Sequence, residues 1–143
     1  MLIQIQPIQI PQFWDVIKFA AISTDNVSEE HKSYYLLALL QDLLAGKRTA
    51  FVIQNKKNYV TLVVVIEVKR DELTNTKIMF MTCLYSFEQQ SEENWDMAIR
   101  DLAIIAKVTG CVSIVGDTAN SKLGKILERN GGSCVTKKYV YTF

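Results

Sequence analysis

The stretch Tyr59 to Lys69 contains Leu62-Val63-Val64-Val65-Ile66, an unbroken apolar run. Side chains of a strand alternate between its two faces. A run apolar on both faces therefore predicts a strand covered on both sides, inside a sheet. Polar turns bracket it: Asn55-Lys56-Lys57-Asn58 before, and Arg70 to Asn75 after. Beyond these turns, Thr49 to Gln54 and Lys77 to Phe87 also read as strands. Connections this short cannot cross over, so the three strands form an antiparallel meander.

Helical spacing flanks the meander. Leu2 to Gln6 alternates and predicts a short first strand. Phe13, Trp14, Ile17 and Ala21 then predict a helix over 11–22, with Pro11 in its first turn. Ser28 can cap a second helix with Glu29 and Glu30 at its positive end, Leu36, Leu37, Leu40, Leu43 and Leu44 as its apolar face, and Gly46 as its stop. Ser91 caps a long helix whose stripe is Trp95, Ile99, Leu102, Ile105 and Ala106, ended by Gly110. Cys111 to Val115 reads as a strand. Asp117, Thr118 or Asn120 starts a helix carrying Leu123, Ile126 and Leu127 inward, and Asn130-Gly131-Gly132 ends it. Cys134 to Phe143, with Val135, Tyr139 and Tyr141, reads as a final strand. The order is β-α-α-β-β-β-α-β-α-β. Strand, long helix, strand predicts a right-handed crossover, hence a parallel pair at strands four and five of a mixed α/β sheet.

Length and composition fit one globular domain over 1–143, at 49% hydrophobic and 22% charged residues. A net charge of +1 supplies no global field for nucleic acid or an anionic membrane. Cys83, Cys111 and Cys134 form no C-x-x-C pair and lie in apolar runs, which predicts buried free thiols in a reducing compartment. Met1 to Gln6 lacks the pattern of a secretory leader. No stretch has the roughly 20 apolar residues of a membrane span. The expected location is the cytoplasm, or a particle assembled there.

The order of elements resembles the GNAT (N-acetyltransferase) superfamily over nearly the whole chain. Asn120, the Leu123-Gly124-Lys125-Ile126-Leu127 helix and Gly131 fit the end of that frame. A narrower likeness runs from Val115-Gly116-Asp117-Thr118 through a basic helix to Gly131-Gly132 and an aromatic strand. It is similar to acetyltransferase-like internal virion or assembly proteins of short-tailed bacteriophages.

The resemblance implies acetyl-CoA, its pyrophosphate held by backbone N–H groups where the fourth strand meets the long helix. Glycines normally open that backbone to the phosphate. The equivalent stretch here, Leu84 to Glu93, has none, and no glycine occurs between Gly46 and Gly110. Glu88, Glu92 and Glu93 crowd the same place. At 4–6 Å and a dielectric near 20, each like-charge pair with a phosphate costs about 3–4 kcal/mol before screening. Many GNAT enzymes also place a proton-donating Tyr seven residues after the Asn. That position is Leu127, which cannot donate.

The remaining candidates are few. The single histidine, His31, excludes triads and multi-histidine metal sites. Glu67 on the long strand is the candidate base and Tyr139 the candidate acid. Both have simpler readings, as a solvent-facing charge and as a packed strand residue. Lys122, Lys125 and Arg129 line one side of the last helix, with Lys137 and Lys138 beyond. They read as a solvated face or as a patch for an acidic protein partner or a second copy.

The missing parts predict a non-catalytic GNAT-fold protein, a binding or assembly component with no cofactor. The alternative is an acetyl-CoA-dependent N-acyltransferase with an atypical phosphate loop, in which Tyr85, Ser86, Gln89, Gln90, Ser91 and Asn120 bind the cofactor. Nucleic-acid binding through the basic helix is a third possibility.

Overall fold

A computed structural model describes residues 1–25, 27–117, 121–136 and 139–143. Five strands form one sheet in sequence order: β1 (Ile3–Ile5), β2 (Thr49–Gln54), β3 (Val60–Asp71), β4 (Thr76–Ser86) and β5 (Cys111–Gly116). Pairing is antiparallel from β1 to β4 and parallel between β4 and β5. The strand read from the Val63-Val64-Val65 run is the middle one. Leu62 to Val65 have no exposed surface, because helices cover both faces.

On one face lie α1 (Ile10–Thr24) and α2 (Glu29–Leu44). Ile17, Ala20, Ala21, Leu39 and Leu43 pack there against Val63, Val65 and Cys83. On the other face lies α3 (Glu92–Val108), whose Ala98, Leu102 and Ala106 meet Leu62, Val64, Ile66 and Met79. The stripe of α3 was legible from sequence at Trp95, Leu102, Ile105 and Ala106, whereas Ala98 rather than Ile99 packs in the core. That of α2 is rotated from the expected stripe: Leu39 is buried, while Leu37 and Leu44 are more than 45% exposed. A leucine-rich helix offers two apolar stripes, and contact with α1 selects one. Ser28 sits at the N-cap of α2 as expected, but its hydroxyl meets His31 Nδ1 at 2.8 Å rather than a backbone N–H. His31 is thereby a local capping partner.

α4 (Ser121–Arg129) ends in a full Schellman closure. Gly132 N–H donates to Leu127 O at 3.0 Å and Gly131 N–H to Glu128 O at 3.0 Å, with Gly131 at φ +93. The sixth strand expected over 134–143 is corrected: residues 134–136 and 139–143 carry no strand. Tyr139, Val140 and Tyr141 are nearly fully exposed, and Tyr141 touches only the Phe143 ring among the aromatic contacts of the described residues. Strand propensity is realised through cross-strand packing, and no strand lies beside this segment among the described residues. Lys137 and Lys138 lie outside the described residues.

The three thiols differ. Cys83 is buried, Cys111 half-buried and Cys134 exposed, so the expectation of three buried thiols holds for one. Burial raises the Cys83 thiol from about 9 to about 11, with Thr24 pulling the other way. A thiol raised on folding contributes stability that is full below its unfolded value and lost as pH rises through the folded one. Unfolding midpoints are therefore expected to fall between about pH 9 and about pH 11. A thiol reagent at pH 8 should modify Cys134 quickly and Cys83 only on unfolding. Rapid native labelling of Cys83 would contradict its burial.

Candidate functional site

The site is set by where two strands part. The parallel ladder runs from Lys77↔Cys111 to Met81↔Gly116 and stops. β5 ends there, but β4 continues through Thr82 to Ser86. At about 3.3 Å per residue, roughly 16 Å of β4 edge has no strand beside it among the described residues. Gly116 marks the apex. A Cβ at this position would lie 2.9 Å from Met81 Cε, the movable tip of that side chain, and at ordinary contact distance, 3.7 Å, from Met81 O.

A bulge stands beside the apex. β3 and β4 pair as Val65↔Cys83 and then Ile66↔Met81, leaving Thr82 unpaired. The Thr82 hydroxyl donates to Val65 O at 3.2 Å. A bulge bends and re-aims a strand, and this one lies where the β4 edge becomes free.

At the far end of that edge, β4 turns into α3. The N–H of Asn94 donates to Ser91 Oγ at 3.1 Å, the cap expected from sequence. Gln90 Nε2 donates to Thr61 O and to Ser86 Oγ, and Gln90 Oε1 accepts from Asn94 Nδ2. The Ser86 hydroxyl donates to Glu88 O and, at 3.4 Å, to Thr61 O. Side chains thus occupy the turn where glycine amides would be bare. Tyr85 points to the α1–α2 face, away from this turn. Asn120 lies outside the described residues, as does Thr118.

A cleft of about 420 Å³ opens between the start of α3 and α4, lined by Gln89, Gln90, Glu92, Trp95, Lys122, Lys125, Ile126 and Arg129. This is the finding that sequence reasoning missed. The Lys122, Lys125 and Arg129 face was legible at helical spacing, but not that it would close over the acidic first turn of α3. Arg129 Nη1 lies 3.3 Å from Glu92 and Nη2 2.8 Å from Asp96. Hydrogen bonds from Arg129 and Asn130 hold the Asp96 carboxyl below its ordinary range. Of the three acids expected to repel a phosphate, Glu92 is paired with a cation. Glu92 is 82% exposed at its side chain and already paired. Charges in water interact at about 1 kcal/mol or less at 4 Å and are screened further by salt. Lys122 and Lys125 line the cleft beside Arg129, whose guanidinium is shared between Glu92 and Asp96.

Glu67 lies on β3 opposite Phe80, on the closed side of the apex. Arg48 Nε lies 3.8 Å from its carboxylate and Lys69 Nζ 3.7 Å. Arg48 Nε also lies 3.2 Å from Asp42, with no acceptor in line with its N–H. Glu67 borders a separate groove with Gly46, Lys47 and Thr49. Two cations already answer its charge. Tyr139 is 88% exposed, and Leu127 occupies the position of the missing acid, its carbonyl used in the α4 closure. No group of His, Cys, Asp and Glu among the described residues could hold a metal ion. No helix among them is long and apolar enough to cross a membrane.

A mixed sheet of this order, with a parallel pair that parts toward the start of a long helix, is the GNAT acetyltransferase fold. Comparison with solved structures bears this out. A probable acetyltransferase superposes with a TM-score of 0.74 at 12% identity, over 100% of this chain and 96% of that one. A ribosomal-protein-alanine N-acetyltransferase from Brucella melitensis biovar Abortus 2308 gives 0.71 at 14% identity, over 100% and 99%. An aminoglycoside N-acetyltransferase in complex with CoA gives 0.68 at 12%, over 100% and 98%. No family model matches the sequence, and no curated protein matches it. At such identities the likeness defines the fold.

Proposed function

We propose that the protein is an acetyl-CoA-dependent N-acyltransferase in which basic side chains of α4, rather than glycine amides, hold the anionic end of CoA. One observation carries this reading: the β4 edge from Thr82 to Ser86, which has no strand beside it among the described residues, leads toward the cleft lined by Lys122, Lys125 and Arg129. The pantetheine arm of CoA carries amides that can pair with a strand edge, and its diphosphate needs cations or N–H donors. Edge and cleft offer the two in the right order. The start of α3 adds the favourable end of its dipole.

The reading assigns a division of labour. Lys125 and Lys122 bind phosphate, and Gln89 and Gln90 border it. The β4 edge orients the arm so that the thioester lies near the apex at Met81 and Gly116. With leucine at position 127, the departing thiolate takes its proton from water.

A non-catalytic role has one observation in its favour. Ser86, Gln90 and Ser91 direct their polar groups to their own turn. A phage-assembly role draws no support from these comparisons.

Calorimetric titration with acetyl-CoA at low salt separates the two. The acyltransferase reading predicts a dissociation constant near ~10 μM, about −7 kcal/mol, and slow thiol release on adding a primary amine. No heat of binding up to millimolar acetyl-CoA would leave the non-catalytic role standing.

A further inference from the structure

α2 is apolar on two sides. Leu39 and Leu43 turn into the core, with Tyr35 and Leu40 packed beside them. Tyr34, Leu37 and Leu44 turn outward and are 79%, 55% and 47% exposed, and Gln41 among them is exposed as well. The outward residues are regularly spaced. Glu30, Tyr34, Leu37, Gln41 and Leu44 recur at alternating steps of four and three residues, in one line along the helix. A step that averages 3.5 residues is the seam along which two helices pair. Single exposed apolar residues scattered on an ordinary surface have no such period.

The two ends of the seam carry opposite charge. Glu30 lies in the first turn of α2, and Lys47 lies two residues past its Ala45 cap; both are exposed. No ion pair reaches either among the described residues: Glu29 holds Lys32, and Arg48 is shared between Asp42 and Glu67. A second α2 laid antiparallel, about a two-fold axis level with the middle of the helix, answers both. Tyr34 then meets Leu44 of the partner subunit, Leu37 meets Gln41 of the partner subunit, and Glu30 meets Lys47 of the partner subunit. The two-fold makes every contact twice. The helix dipoles oppose each other, which favours the same direction. A parallel pair would instead set glutamate against glutamate and lysine against lysine.

We infer that the outer face of α2 joins two copies of this chain as an antiparallel helix pair, with Tyr34, Leu37 and Leu44 as its apolar seam and Glu30 with Lys47 as its closing charges. The net charge of +1 gives the copies little mutual repulsion. The polar Gln41 on the seam fixes its register at some cost in strength. Three apolar side chains from each copy make a small interface, so the pair is reversible, with a dissociation constant of about 10–100 μM. α2 and α3 cover opposite faces of the sheet. The cleft at the start of α3 therefore stays open in both copies, and the inference stands apart from the acyltransferase reading.

The test is sedimentation equilibrium of the full chain from about 5 to about 500 μM, a range that brackets the expected constant. The average mass should rise toward twice that of one chain. Leu37→Glu should weaken the pair at least ~100-fold, since the two-fold brings a charge from each copy into the apolar seam. Its melting midpoint at about 1 μM, where the wild type is also monomeric, should be unchanged, because Leu37 is exposed. Glu30→Lys and Lys47→Glu should each weaken the pair ~5-fold at low salt by setting like charges together at both ends. Glu30→Lys combined with Lys47→Glu should return the constant to within ~2-fold of wild type, the signature of an antiparallel contact. A wild type that is monomeric at about 500 μM overturns the inference, as does a dimer of undiminished strength in Leu37→Glu. Single charge variants that both weaken the pair without recovery in the double overturn the antiparallel arrangement.

Discussion

Replacing Lys122 and Lys125 together by glutamate is expected to weaken acetyl-CoA binding about 100-fold while leaving the thermal midpoint nearly unchanged. Both residues line the cleft at the start of α3, and both are exposed. Two reversals turn an excess of cations into an excess of carboxylates. About 2.7 kcal/mol corresponds to 100-fold. Reversing one exposed charge some 6 Å from a phosphate contributes about 1.4 kcal/mol even in water. The effect should shrink as ionic strength rises and the Debye length falls below about 8 Å. Exposed substitutions away from packing or caps change stability little. Calorimetry at two salt concentrations checks the first expectation and a melting curve the second. Unchanged affinity in the double variant would mean that α4 does not hold the diphosphate.

The second large effect is on folding. Ile17→Ala is expected to lower stability by about 2–5 kcal/mol, a substantial part of a typical total of 5–15. Ile17 has no exposed surface and packs in the cluster that joins α1 and α2 to Val63, Val65 and Cys83. Removing its outer carbons leaves a hole that the flat sheet beneath cannot fill. The melting midpoint should fall by about 6–15 °C, at about 3 °C per kcal/mol for a chain of this size. Denaturant titration measures the change directly. Ile8→Ala is the control: Ile8 is 89% exposed just before the same helix, and its loss should be nearly silent. A shift under ~1 kcal/mol for Ile17→Ala would mean that α1 is not docked as described.

The sheet was legible because its signals are local and redundant. The Leu62-Val63-Val64-Val65-Ile66 run could only be a covered strand, and the short turns fixed antiparallel neighbours. Ser91 with Glu92 and Glu93 announced α3, whose moment is set by one surface, the sheet. Failures came where a second surface decides. Leucines surround much of α2, and only contact with α1 chose Leu39 over Leu37. Residues 139–143 have the composition of a strand, but composition supplies no partner.

For the site, the glycine-free turn was legible in the sequence, since it is a local feature of residues 84–93. The cation that α4 brings against the first turn of α3 was not legible, because it comes from more than 30 residues away. Arg129 reaches Glu92 and Asp96 across the fold. Such pairings have no sequence periodicity.

The most direct measurement is a crystal structure with CoA bound. The account predicts the pantetheine arm along Thr82 to Ser86 and the diphosphate within salt-bridge distance of Lys122 or Lys125. A β4 edge left bare by bound CoA, or a diphosphate seated away from α4, would contradict it.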